Sequence, residues 1–311
     1  MSRRIYKYVG PANVERVLGG ANSVTLKCSY PKDFNDPYEL FLTIDFKQEP
    51  EVLAFYADAI GELPQLPTTC FSRSPSVIPM WAHYAQNSEG FAIEFDESEL
   101  ATAFPKSGFG DVDYRDAPDD GLSDTLHRAY HIGKPRYVYI LHTGVFSAAY
   151  YTKATCWNYE QERRMIVGEN EIRQAGDLML VDVPHSCVSA IIAGPRASPD
   201  TRKSLQECAA RFGSRYFDIR IGKTSAVPYF VDAAGSTYTF IEGEIVAAPQ
   251  SCEACGEPLT EESDLCSWCC IEDSHRDEAA SRNPYRMFHH FGMLESYIKD
   301  MEAIRTGSGK K

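Results

Sequence analysis

The sequence predicts an α+β fold with a small metal-binding module behind it. Strand-type apolar runs and helix-type patterns are interspersed without strict βαβ alternation, which disfavours a doubly wound sheet. Five of the ten cysteines fall between Cys252 and Cys270, apart from the scattered rest. The hydrophobic share of 43% and charged share of 24% over 311 residues are globular values and leave room for a sizeable core. The expected organisation is an α+β domain over 1–241, a linker over 242–251 and a cysteine module with a C-terminal helix over 252–311.

Strands are expected at Ile5–Val9, Val24–Ser29, Thr69–Ser72, Phe91–Phe95, Arg164–Val167, Leu178–Val183, Val188–Ala193, Tyr216–Ile221 and Ser236–Ile241, where β-branched and aromatic residues concentrate. Helices are expected at Glu51–Gly61, Met80–Gln86, Leu122–Tyr130 and Pro199–Phe212. The last is the best marked: Ser198 suits the N-cap, Pro199 the first turn and Gly213 the end. GEIVAAPQS reads as linker. A helix follows near Tyr285–Ile304, and TGSGKK reads as a flexible end.

The net charge of −13 argues against a broad electrostatic grip on nucleic acid or anionic membrane, while a local basic patch such as Lys153, Arg163 and Arg164 stays open. No apolar run reaches the length of a membrane helix, and MSRRIYKYVGP has no apolar core of a signal peptide. A cytoplasmic location is expected. There Cys28, Cys70, Cys156, Cys187 and Cys208 read as buried thiols. The chain has no GxxxxGK[ST], GxGxxG or GxSxG, which weakens NTPase, Rossmann and serine-hydrolase readings.

In CEACGEPLTEESDLCSWCC, Cys252 and Cys255 form one CxxC and Cys266 and Cys269 a second. Two such turns can bring four thiolates around Zn²⁺, which reads as a small zinc ribbon, and a closed four-sulfur site is structural. Cys270 is an alternative to Cys269. The acidic surroundings (Glu253, Glu257, Glu261, Glu262, Asp264) suit protein docking better than nucleic-acid reading. His289 and His290 are adjacent on a helix and point apart, so they read as surface residues.

Four stretches stand out in the first domain: IYKYV, FNDPYE, Thr69 to Asp96, and WNYEQERRMIV. Alone, Asn35-Asp36-Pro37 is a turn signal, Trp81, Tyr84, Phe91 and Phe95 fit a core, and Glu160 and Glu162 fit surface ion pairs. Asp111 and Asp113 fit a solvated strand edge better than an Mg²⁺ site. Gly194-Pro195-Arg196 fits a strand–helix loop or a phosphate-binding helix start.

Taken in order, YKY, FNDP, CFS with MWAHYA, GFxIEFD and W-x-YExE-R resemble a bacterial family known only as a domain of unknown function. More remotely, the order of features resembles mono-ADP-ribosyltransferases. That resemblance implies a mixed-sheet domain using NAD. Tyr6, Lys7, Tyr8, Asn35, Ser72, Trp81 and Tyr84 would hold the dinucleotide; Glu162, the second glutamate of the E-x-E, would hold the ribose and carry the catalysis, and Glu160 would orient or deprotonate the acceptor. The chain departs from that pattern in having tyrosines and Lys7 at the first position and CFSRS at the second. A carboxylate near the ribose would steady an oxocarbenium-like transition state. The expected function is an NAD-dependent ADP-ribosyltransferase-like toxin or phage-defence effector acting on nucleic acid or protein, with an antitoxin or other protein docked on the zinc tail. The alternatives are a non-enzymatic nucleotide- or protein-binding module and a nuclease using His83 with Glu94 or Asp111.

Overall fold

The computed structural model describes residues 3–307. The chain divides into two compact units, Met1–Ala248 and Pro249–Lys311. In the first unit the elements are, in chain order, β1 (Arg4–Val9), α1 (Val14–Leu18), β2 (Ser23–Cys28), α2 (Pro50–Ile60), β3 (Thr68–Ser72), α3 (Ile78–Tyr84), β4 (Phe91–Asp96) and α4 (Glu97–Ala103). There follow β5 (Gly108–Asp111), β6 (Asp113–Tyr114), α5 (Asp120–Ile132), α6 (Pro135–Tyr151), β7 (Thr152–Lys153), β8 (Glu162–Ile166), β9 (Arg173–Ala175) and β10 (Leu178–Pro184). The unit closes with β11 (Val188–Ala193), α7 (Pro199–Phe212), β12 (Arg215–Arg220), β13 (Tyr229–Asp232), β14 (Thr237–Ile241) and β15 (Glu244–Ala247).

Ten strands form one mixed sheet in the order β15-β14-β13-β12-β11-β4-β1-β3-β8-β5. Its one parallel pair among the described residues is β11 with β12, bridged by α7. The expected caps of α7 are present: the Ser198 side chain accepts from the Thr201 amide, and Gly213 turns left-handed at φ 69°. A smaller sheet, β2-β10-β9, covers part of one face, and β6 pairs with β7.

Strand alternation gives the large sheet two cores. On one side Ile5, Phe91, Ile93, Phe95 and Ile191 meet Val24, Leu26 and Val181 of the small sheet and Leu205 of α7. On the other, Tyr6, Tyr8, Ala92, Ile192 and Phe217 meet Met80 and Trp81 of α3. β4 is therefore buried on both faces, and its buried carboxylate, Glu94, is paired in place by the Tyr6 hydroxyl (2.9 Å) and Arg215 (3.0 Å). A third core, with Ile44, Val52, Leu126, Leu141 and Val145, joins α2, α5 and α6.

Several expectations are corrected. The sequence pattern predicts no element where the seventeen-residue α6 lies, because its β-branched and aromatic residues and Gly144 disfavour a helix. Packing overrides propensity: Leu141, Val145 and Ala149 form one buried stripe, and Gly144 lets Leu122 approach to 2.5 Å of where a Cβ would stand. Residues 244–247, expected as linker, extend the sheet as β15 opposite β14. Cys156 is exposed, not buried.

The second unit holds α8 (Asp273–Arg282), α9 (Pro284–His290) and α10 (Leu294–Arg305). The single helix expected near Tyr285–Ile304 is broken at Gly292, which sits at φ 67°. Apart from a bridge between Ser251 and Pro258, no strand forms among its described residues, so the module is two cysteine turns followed by helices, not a β-ribbon. Residues 308–311 of the expected flexible end lie outside the described residues. No helix is long and apolar enough to cross a membrane among the described residues.

Gly90 opens β4 under the backbone of β1: a Cβ there would stand 2.0 Å from the Val9 carbonyl oxygen. Backbone cannot swing aside, so Gly90→Ala should destabilise the first unit by about 1–3 kcal/mol, the usual cost of overpacking. Urea denaturation checks this; an unchanged midpoint would contradict the close approach.

Candidate functional site

The large sheet opens between two of its central strands. β1 and β3 share one register pair, Tyr6 with Ser72. Beyond it the Lys7 ammonium reaches across, donating to Cys70 O (2.8 Å) and Thr69 Oγ1 (3.0 Å). A backbone acceptor that would serve a sheet ladder is thus satisfied by a side chain, and the strands part. The cavity formed there has a volume of about 630 Å³. Of the residues singled out in the sequence, Tyr6, Lys7, Tyr8, Asn35, Ser72, Tyr84, Glu160 and Glu162 line it. Arg16 and Lys27 also line it, and Phe34 and Phe71 add apolar wall.

Trp81 is not among them. Its ring is fully buried, edge-on to Tyr8 at 5.0 Å, and its Nε1 donates to Pro75 O (2.7 Å). The i, i+3 spacing of Trp81 and Tyr84 puts both on one helix face, but the sheet covers the tryptophan and leaves only the tyrosine at the cavity. Tyr8 donates to Ser74 O (2.8 Å), and the Ser72 hydroxyl is engaged with the same loop (3.2 Å).

Within the cavity lining the two glutamates converge. Glu160 does not lie on a strand, as the sequence pattern suggests, but ends a 3₁₀ turn, Thr155–Glu160. Gln161 then adopts a left-handed conformation (φ 46°), which turns the chain into β8 at Glu162. Both carboxylates thereby reach one cation: Lys153 Nζ lies 2.6 Å from Glu160 Oε2 and 3.3 Å from Glu162 Oε2. All three side chains are at least nine-tenths buried, so these are not the surface pairs that composition suggests.

Glu162 is held further by Arg164, whose Nε and Nη2 donate to its two oxygens (2.7 and 3.2 Å). Burial alone would raise the Glu162 pKa; Arg164 and Lys153 outweigh it and hold the carboxyl at about 2. Burial likewise acts to neutralise Lys153, and the two glutamates reverse that and keep it charged. Arg164 is fully buried, donates to Tyr150 O (2.8 Å), pairs with Glu39 and lies under the Phe34 ring (5.4 Å). Burial raises the Glu39 pKa despite Arg164, and its Oε2 is buried without a partner among the described residues. On the other flank, the Tyr84 hydroxyl donates to Glu160 Oε1.

No sequence motif marks Lys153 or Glu39 as a site residue. Glu39 ends the FNDPYE stretch, whose signal is that of a turn; Lys153 precedes the WNYEQE turn by four residues. The basic patch expected from Lys153, Arg163 and Arg164 does not exist: two are buried in these pairs, and Arg163 is clamped by Glu97 (2.6 Å). Nor do the nuclease candidates meet. His83 is exposed beside Tyr159, Glu94 is buried under Tyr6, and Asp111 pairs with Arg3 (3.0 Å). Gly194 is a packing glycine, since a Cβ there would stand 2.4 Å from Ser88 O, and Arg196 is exposed.

In the second unit, one sulfur from each of Cys252, Cys255, Cys266 and Cys269 lies within 4.8 Å of all the others. Cys255 and Cys266 sulfurs stand 3.8 Å apart, matching the roughly 3.8 Å that a tetrahedral ion with bonds of about 2.3 Å requires. Backbone amides of Cys266, Cys255 and Ala254 lower the Cys252 thiol to about 6, which favours a thiolate donor. These four cysteines can hold a metal ion such as zinc. Cys270 lies outside the group, exposed and near Leu265 O (3.9 Å).

Residues 80–165 match the family model described as "Protein of unknown function (DUF2971)". The matched span contains Tyr84, Lys153, Glu160, Glu162 and Arg164, and accords with the resemblance to a domain of unknown function. No curated protein and no solved structure matches the chain.

Two expectations follow from this geometry. Because the Glu162 pKa is depressed from its ordinary 4.5, its share of stability is present above pH 4.5 and is lost as pH falls toward 2. That share is about 3 kcal/mol, offset in part by the raised pKa of Glu39. Glu162→Gln should remove it and leave buried cations uncompensated, a loss of about 3–5 kcal/mol. Denaturant titrations of both proteins between pH 7 and 2 test this; a variant as stable as the parent would contradict it. Elemental analysis of reduced protein should find about one metal ion per chain, lost in Cys266→Ser. Retention of metal by that variant would exclude the four-sulfur site.

Proposed function

We propose that the first unit is a glycosyl-transfer enzyme that opens the nicotinamide–ribose bond of NAD and passes ADP-ribose to an acceptor. One observation carries the reading: two carboxylates, Glu160 and Glu162, converge on buried Lys153 in the lining of an aromatic-walled cavity. Lys7, Arg16 and Lys27 line that cavity in a chain of net charge −13, which suits an anionic dinucleotide. Tyr8, Phe34, Phe71 and Tyr84 offer ring surface for its bases.

In this reading the ribose C1′–N bond breaks and its electron pair leaves with nicotinamide. The cation left on the sugar is steadied by close contact with a carboxylate oxygen of Glu160, since Lys153 and Arg164 offset the charge of the glutamate pair at longer range. The acceptor's lone pair then closes on C1′, and its proton passes to a carboxylate. Glu162, which the resemblance would make the ribose-holding residue, has both oxygens committed to Arg164 and Lys153, so in this reading it fixes the cluster instead. Glu160, shared between Tyr84 and Lys153, keeps lone pairs for the substrate. Transfer to nucleic acid or protein in a cell would make the chain a toxin or phage-defence effector. Zinc in the second unit would be structural, and the acidic turns around it would dock an antitoxin or another protein.

The committed oxygens of Glu162 also favour a second reading, a non-enzymatic nucleotide-binding module in which the ion cluster only shapes the pocket.

Nicotinamide release from NAD separates the two. The parent should release nicotinamide, and Glu160→Gln should do so on the order of 10²-fold more slowly while keeping its circular dichroism. Full turnover by a folded Glu160→Gln protein would end the assignment. Saturable NAD binding without release would favour the binding module.

A further inference from the structure

Of the 311 residues 44 are acidic, yet none lies between Thr125 and Tyr159. That span covers most of α5, the turn at Gly133 and Lys134, and all of α6. Its buried side, with Leu126, Ala129, Leu141 and Val145, is occupied by the core shared with α2. Its outer side exposes Arg128, Lys134, Arg136 and Tyr139, the last at 74%. The three cations make no ion pair among the described residues, in contrast to Lys153, Arg163 and Arg164. The Arg136 guanidinium lies over the Tyr137 ring at 4.8 Å and donates to its hydroxyl (3.0 Å), while Tyr139 stays open to solvent. Carboxylates such as Glu51 and Asp58 belong to α2, the element on the buried side.

We propose that this hairpin binds single-stranded nucleic acid. Arg128, Lys134 and Arg136 would contact phosphates, and Tyr139 would stack a base. Beyond Asp124, one turn before Arg128 on α5, the hairpin carries cations outside any ion pair and no acid of its own, which on a strongly acidic chain is complementary to a polyanion. Exposed flat rings select bases free of a duplex, which every base face can satisfy. Three cations fall short of the four to eight typical of a segment held by anionic lipid. The proposal stands apart from the glycosyl-transfer reading, though the two are compatible. α6 runs about 25 Å from the hairpin turn to Lys153, a span that a few extended nucleotides cover.

The test is fluorescence anisotropy of labelled RNA and DNA strands of about twelve nucleotides with the full chain at low salt. Binding should weaken with salt at a log–log slope of about −2, as three phosphate contacts predict. The combined variant R128E/K134E/R136E should bind at least about tenfold more weakly. Tyr139→Ala should lose about tenfold. None of the four residues belongs to the buried core, and circular dichroism would verify folding. Glu160→Gln should bind as the parent does whether or not NAD is cleaved, so failure of the NAD reading leaves this result intact. No binding by the parent, unchanged binding by the charge-reversed variant, or capture on phosphatidylserine vesicles without strand binding would overturn the proposal. A preference for RNA or for DNA would support it and name the source of the phosphate chain.

Discussion

The first unit is organised around a buried ion cluster: Glu160 and Glu162 on Lys153, and Glu162 and Glu39 on Arg164. Buried charges are tolerated only when each is answered, and removing one member exposes the rest to the full desolvation cost. The cluster therefore ties distant segments to one geometry. Glu39 fixes the FNDPYE loop, Tyr84 fixes the end of α3, Lys153 fixes the chain just past α6, and the two glutamates fix the start of β8. The chain segments that look most distinctive in the sequence are the ones that meet there.

The cavity exists because the sheet is interrupted beside this cluster. Elsewhere the strands are zipped by backbone hydrogen bonds and by two apolar cores. Between β1 and β3 a lysine takes the place of a ladder donor, and the space that opens is lined by polar and aromatic side chains. Rigid strands carry most of that lining, which suits a site needing fixed geometry. Glu160 and Glu162 are brought to one point by a single left-handed residue, Gln161, rather than by strand alternation.

The second unit rests on another kind of centre. None of α8, α9 and α10 contributes a buried residue, whereas Cys252 and Cys266 are buried. With so little apolar core, a metal held by four sulfurs is a natural source of its order.

Local chemistry makes much of this legible in the sequence. β1, β4 and β11 announce themselves by runs of β-branched and aromatic residues, α7 by its caps, and the cysteine turns by their spacing, because each signal sits within a few adjacent residues. The motifs around Tyr8, Asn35 and Tyr84 likewise point to their lining role. The fate of Trp81, the helix α6 and the strand at 244–247 is not legible, since each depends on what packs against it. The same holds for the charges. By composition alone Lys153, Glu160, Glu162 and Arg164 suit surface ion pairs, and only the family resemblance singles out the two glutamates. Only the tertiary structure takes them out of water together, and burial is what turns four solvated charges into one interdependent cluster.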